Sequence, residues 1–290
     1  IGGCLQSFKR DGYTLDTGMH YVGSLSEGQI MHQYFKYFDI IDKLNLRKLD
    51  MAGFDHFHFS DGSSYCHAMG YERFIDTLSK DFPEERNNIR ALCNDIKSIG
   101  NLVSPEILRE GRISNGGFEF MSMSAYEEIN KHIKDEKLRR VFAGNSGLFA
   151  GDRLTTSMYE YGMITNSNID GAYAFVDGSQ HLADLLSERI KTNGGDVMLK
   201  SKVKNIFLVN DTAEYVELES GERFSAKWII SSLHPAVTFS LLKNNTVYKK
   251  AFFTRMRSLP NTYGVFTTYL LLKPNKIKYV NQNHYLFNNP

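Results

Sequence analysis

The chain has 290 residues, 42% of them hydrophobic, and its 34 Lys plus Arg against 33 Asp plus Glu give a formal net charge of +1. That is enough apolar material for a substantial core and for two domains, and the near-neutral balance carries no footprint of a nucleic-acid partner. Cys4, Cys66 and Cys93 are an odd set without metal spacing, which points to reduced thiols and a cytoplasmic setting. Apolar runs such as Tyr269–Leu272 are too short to cross a bilayer, so a transmembrane helix is excluded here while peripheral membrane contact stays open.

The chain opens on Ile1-Gly2-Gly3, and two adjacent glycines read on their own as a loop that permits close backbone approach. Phe8–Asp16 predicts two strands around an Asp11-Gly12 turn, and Thr17-Gly18-Met19-His20-Tyr21-Val22-Gly23 leaves the second strand. Between Gln29 and Leu46, Tyr34, Phe38, Ile41 and Leu44 recur at helical spacing. Phe54–Phe59, Asp61-Gly62 and Tyr65–His67 predict strand, turn and strand. Two-residue spacing puts His56 and His58 on one strand face. With His67 they find no carboxylate or cysteine set nearby, so no metal site is expected and that polar face reads as solvated.

A helix is expected from Gly70, with Phe74, Ile75 and Leu78 inward, broken at Phe82-Pro83. Pro83-Glu84-Glu85 suits the first turn of the next helix, which runs through Ile89, Leu92, Cys93, Ile96 and Ile99. Ser124 and Glu127 form a capping box ahead of Ile129, Ile133 and Leu138, read as one continuing run. Phe118–Met123 reads as core more readily than as a ligand wall. Asn145–Asp152 is a loop and Thr156–Ile164 a short helix. From Gln180, Leu182, Leu185, Leu186 and Ile190 mark another helix, capped by Ser179 or Asp177 and ended by Gly194 in the left-handed conformation. Strands are then expected at Val197–Leu199, Val203–Val209, Tyr215–Leu218 and Trp228–Ile230, a helix from Pro235, and two neighbouring strands at Val265–Leu272 and Tyr279–Leu286. No Gly-x-Gly-x-x-Gly follows a predicted strand, and no Ser-His-Asp set, zinc signature or paired carboxylates appear.

Taken in order, IGGCLQSFKRDGYTLDTGMHYVG, GSQHLADLLSERIKTNGGDVMLKSKVKNI and AKWIISSLHPAVT resemble blocks of the flavin-dependent phytoene desaturase, carotenoid isomerase and retinol saturase group, within the amine-oxidase-like flavoproteins. The resemblance implies an α/β fold class: a partial FAD/NAD(P)-binding domain of glutathione-reductase type, lacking the N-terminal βαβ unit, beside a substrate domain with a mixed sheet and helices. Residues 1–25 and 171–232 would form the first and residues 26–170 and 233–290 the second. Because the family's dinucleotide fingerprint lies upstream of the Gly-Gly pair, the chain reads as an internal segment of a longer protein.

The same resemblance implies FAD as cofactor, with Gly2 and Gly3 beside the diphosphate, Gly18 against the flavin ring and Val203 at the adenine. It makes His20 the candidate catalytic residue, a bonded turn histidine being the other reading, and Tyr21, Tyr173 and Phe175 the substrate-facing wall. Relatives often carry Arg where this chain has Cys4. NAD(P)H is a candidate electron source. The implied activity is oxidoreduction at carbon–carbon bonds of a hydrophobic polyene or isoprenoid-like substrate by desaturation, saturation or isomerisation. An amine-oxidase-like flavoenzyme and a non-catalytic fragment or binding module are the alternatives. The chain alone is expected to hold FAD weakly.

Overall fold

Asp11 and Gly12 sit at φ 50° and 82°, the left-handed pair of a tight hairpin turn. They join β1 (Ser7–Arg10) to β2 (Tyr13–Asp16) as an antiparallel pair. The periodicity after Gln29 gives a shorter helix than expected, α1 (Ile30–Tyr37), because Asp39 turns left-handed at φ 57°. A 3-10 turn at Ile41–Lys43 then leads to β3 (Leu46–Lys48). β4 (Asp55–Phe59) and β5 (Ser64–His67) form the next antiparallel hairpin. This computed structural model describes the whole chain except residues 20, 105, 106, 108, 109, 111–114, 177, 289 and 290, and only the backbone of residues 115 and 116.

A helical layer follows: α2 (Tyr71–Asp81), α3 (Arg86–Gly100), α4 (Asn115–Ser122), α5 (Ala125–His132), α6 (Glu136–Phe142) and α7 (Met158–Asp170). The run expected through Ile129, Ile133 and Leu138 is two helices, since Asp135 starts a second cap by accepting Leu138 N–H at 2.9 Å. Ser124 caps α5 through Glu127 N–H at 3.3 Å. α7 is longer than the sequence suggests, and it packs closely on α3 because two glycines open the contact. A Cβ on Gly162 would lie 2.6 Å from Ile99 Cδ1, and one on Gly100 would lie 2.3 Å from the Asn166 carboxamide. Phe57, Phe74, Ile89, Leu92, Ile96, Leu138 and Phe142 make the dry centre of this layer.

β6 (Tyr173–Phe175) pairs antiparallel with β3, and α8 (Gln180–Thr192) ends where Gly194 takes φ 82°. Ser179 does not cap α8. Its hydroxyl donates to the Leu5 carbonyl at 3.1 Å, and Asp177 lies outside the described residues. Asp16 takes the position instead: its Oδ1 accepts Ser179 N–H at 3.1 Å and the Ser7 hydroxyl at 2.6 Å, a carboxylate at the positive end of the helix. Gly178, at φ 84°, has no Cβ to collide with that carboxylate, 2.9 Å away.

Chain contacts divide the protein into Ile1–Asn193 with Thr267–Pro290, and Gly194–Phe266. The second unit has β7 (Val203–Val209), β8 (Thr212–Leu218), β9 (Arg223–Ser225) and β10 (Leu242–Lys243) in the sheet order β10-β7-β8-β9, with α9 (Pro235–Ser240) and α10 (Lys250–Arg257). β11 (Asn283–Phe287) belongs to the first unit and lies parallel to β4, giving the order β11-β4-β5. Parallel and antiparallel pairs in the same sheets make this a mixed α/β protein. Three expected strands are absent: Val197–Leu199, Trp228–Ile230 and Val265–Leu272 carry no regular structure, and Tyr279–Leu286 forms only its C-terminal part. Trp228 and Ile230 are 79% and 94% exposed. β-branched and aromatic residues favour a pleated surface only when a neighbour covers them, and no strand flanks these segments among the described residues. Nor is any described helix long and apolar enough to cross a membrane.

Candidate functional site

Side chains alternate across a strand, so Phe57 and Phe59 facing the helices carry Asp55 inward with them. Asp55 is 0% exposed. Its Oδ1 accepts from Asn283 Nδ2 at 2.9 Å, the residue paired with it on β11, and its Oδ2 accepts from the Tyr21 hydroxyl at 2.9 Å. Asn145 and Tyr285 also direct donors toward the carboxyl. Among the described residues no cation pairs with it. Burial therefore wins over the donors and pushes the carboxyl up to about 6. Burial first, and the Asp55 charge second, push the Tyr21 phenol well above its ordinary range. Asp55 can therefore hold or release a proton near neutral pH while Tyr21 keeps its own, and Phe54, Leu49, Met69 and Ala172 pack against Tyr21 as apolar surface.

The residues proposed from sequence separate into groups. Gly2 and Gly3, at φ 98° and 55°, form a turn against α8, where a Cβ on Gly2 would lie 2.7 Å from Ala183 Cβ. Gly18 sits beside them, a Cβ there falling 3.4 Å from the Cys4 carbonyl. Tyr173 and Phe175 point to the α1–α8 side, with Leu25, Phe35, Leu182 and Leu185, and Tyr173 Oη lies 3.0 Å from Ser26 Oγ. Tyr21 lies on the opposite side of β6, packed with Ala172 and Ala174, so the side chains of Tyr21 and Tyr173 do not share a wall. Val203 opens β7 in the other unit. His20 lies outside the described residues.

Asp55, Asn283, Tyr285 and Asn145 were not foreseen. The signal for Asp55 was present, because reading Phe57 and Phe59 as inward fixes Asp55 on the same face. The partners on β11 come from the far end of the chain and carry no local mark. On the opposite face, His56 and His58 are not simply solvated. Both stack on His284, with ring centroids at 5.3 and 5.1 Å, and His58 Nε2 lies 2.8 Å from His284 Nδ1. His67 is buried against Phe57, Phe74 and Phe142, and burial pushes it down to about 3. No three His, Cys, Asp or Glu side chains among the described residues gather to hold a metal ion.

The chain is 26% identical over 257 residues to prolycopene isomerase 2 of an Oncidium hybrid cultivar, covering 83% of this chain and 44% of that protein. It is 25% identical over 238 residues to the all-trans-retinol 13,14-reductase of Danio rerio, covering 74% and 38%. It thus spans less than half the length of these curated relatives. In fold it is similar to an oxidoreductase from Methanosarcina mazei, with a TM-score of 0.61 and 18% identity over 88% of this chain and 57% of that one. The model of the flavin containing amine oxidoreductases matches residues 1–266, and the chain belongs to that family.

Proposed function

We propose that this chain is part of an FAD-dependent oxidoreductase acting on carbon–carbon bonds of a hydrophobic polyene or isoprenoid-like lipid, by desaturation, saturation or isomerisation. The observation that carries the reading is the pair of relatives named for prolycopene and retinol chemistry, matched across most of the chain. Within the family fold we assign residues 1–25 and 171–232 to a partial FAD-binding domain of glutathione-reductase type, and residues 26–170 and 233–290 to the substrate domain.

The residues present fit a dinucleotide. Gly3 is left-handed with no atom within 4 Å of where a Cβ would stand, which leaves the turn open to an anion held by backbone N–H groups. Gly2 and Gly3 would face the diphosphate, Gly18 the ring and Val203 the adenine. FAD supplies hydride exchange with the substrate carbon when bound. The chain's own task is to bind an apolar chain, exclude water and manage one proton. Tyr173 and Phe175 are proposed to line the substrate, and His20 to orient it. Tyr21 keeps its proton on Oη while Asp55 holds that hydroxyl in place, and NAD(P)H remains the proposed electron source.

A second reading, oxidation of a carbon–nitrogen bond, is favoured by the family model's own description. One assay separates the two. The longest natural polypeptide containing residues 1–290 is loaded with FAD and mixed anaerobically with all-trans-retinol, a cis-lycopene or putrescine, in parallel with the flavin oxidised and with the flavin first reduced by NAD(P)H or dithionite, because saturation of a carbon–carbon bond consumes two electrons. Products are separated chromatographically and flavin absorbance is followed. New polyene products with inert putrescine are expected; flavin bleaching by the amine with unchanged polyenes would replace this reading with the second.

A further inference from the structure

A cavity of about 540 Å³ opens between α5, α6, the loop after α6 and the start of α7. That is within the size of small-molecule pockets. Its floor is apolar: Ala125 and Ile129 are buried, and buried Tyr161 gives its hydroxyl to the Phe142 carbonyl at 3.1 Å. Phe149 stands at one side.

Three guanidiniums border this apolar floor, and they are not equivalent. Arg139 is spent on Asn130 Oδ1 at 2.8 Å and the Lys134 carbonyl at 2.9 Å. Arg140 pairs with Glu136 at 2.5 Å. Asp152 is turned to its own loop, accepting Leu154 N–H at 2.8 Å. Arg153 rests its guanidinium 4.2 Å from the Tyr126 ring centroid, and no carboxylate among the described residues pairs with it. A guanidinium held over an aromatic ring is positioned while its N–H donors stay available to a carboxylate.

From this juxtaposition we propose that the cavity is a second binding site, taking a monocarboxylate with a hydrocarbon tail: the tail on Ile129 and Phe149, the carboxylate on Arg153. The site shares no residue with the Tyr21–Asp55 cluster, so its failure would leave the flavoenzyme reading untouched, and the reverse also holds.

The test is calorimetric titration of the full chain with decanoate and with decan-1-ol, both below their aggregation limits. Wild type is expected to bind decanoate at least tenfold more tightly than the alcohol. Arg153→Met keeps the apolar stem and should bring decanoate to the affinity of the alcohol. Ala143→Trp, at an exposed position on the cavity wall, should abolish binding of both with the thermal midpoint kept. Equal wild-type binding of acid and alcohol, or decanoate affinity unchanged in Arg153→Met, overturns the proposal. Because Arg153 is exposed, Arg153→Met decides the question even where Ala143→Trp fails to fold.

Discussion

Asp55 shows how one buried carboxyl couples stability to pH. Its ordinary value of 3.8 in the unfolded chain rises to about 6 in the fold. Between those values the folded state keeps a proton that the unfolded state has released. Stability from this group is therefore complete below pH 4 and is lost as pH rises through 6, by about 3 kcal/mol in full. Asp55→Asn cannot ionise, so relative to wild type it should gain about that much between pH 4 and 7, read by urea unfolding at each pH. Parallel profiles for the two proteins would mean that Asp55 is not held neutral. Strand parity made the inward position of Asp55 legible in Asp55-His56-Phe57-His58-Phe59. Its partners were not legible, because Tyr21 and Asn283 are 34 and 228 residues away and meet it only through tertiary packing.

At the scale of elements, short-range signals proved the readable ones. Pro83, Ser124, Gly194 and the Asp11-Gly12 pair act within a few residues of themselves, and each lies at the boundary its chemistry demands. The break between α5 and α6 is different, since distant Glu85 helps hold it. Glu85 is 6% exposed, and its Oε1 accepts the N–H groups of Lys134 and Asp135 at 2.8 and 2.6 Å, while Oε2 accepts from Asn88 Nδ2 at 2.6 Å. Glu85→Ala leaves two N–H groups without their acceptor and should cost about 2–4 kcal/mol, whereas Glu85→Gln keeps an acceptor and should cost about half of that. Chemical denaturation followed by far-ultraviolet dichroism checks the ranking. Equal losses in the two variants would show that packing rather than hydrogen bonding matters at this site. The strands expected at Trp228–Ile230 and Val265–Leu272 failed for the complementary reason: their composition specifies a surface to be covered, and the covering neighbour is not encoded locally.

For the whole molecule the question is how far the described residues can hold the cofactor. Gly2, Gly3 and Gly18 meet near Cys4, and the Asp16–Ser179 bonds tie that turn and the β1–β2 hairpin to α8. This joint offers a backbone contact for an anion. It offers no arginine at position 4, and Asp16 already occupies the N-terminus of α8, where a diphosphate would otherwise gain most. The chain also carries no Gly-x-Gly-x-x-Gly. Titration of FAD into residues 1–290, followed by flavin fluorescence polarisation, should accordingly give a dissociation constant above about 100 μM, no more than about 5.5 kcal/mol of binding. Gly3→Val should weaken even this, because a branched side chain is strained at φ 55° and fills the open space above the turn. Gly12→Val carries the same kind of backbone strain, at φ 82°, in the hairpin turn and should leave FAD affinity unchanged. Stoichiometric, tightly held flavin in the purified chain would overturn this expectation of weak binding. Equal effects of the two substitutions would separate FAD from the Gly2-Gly3 turn altogether.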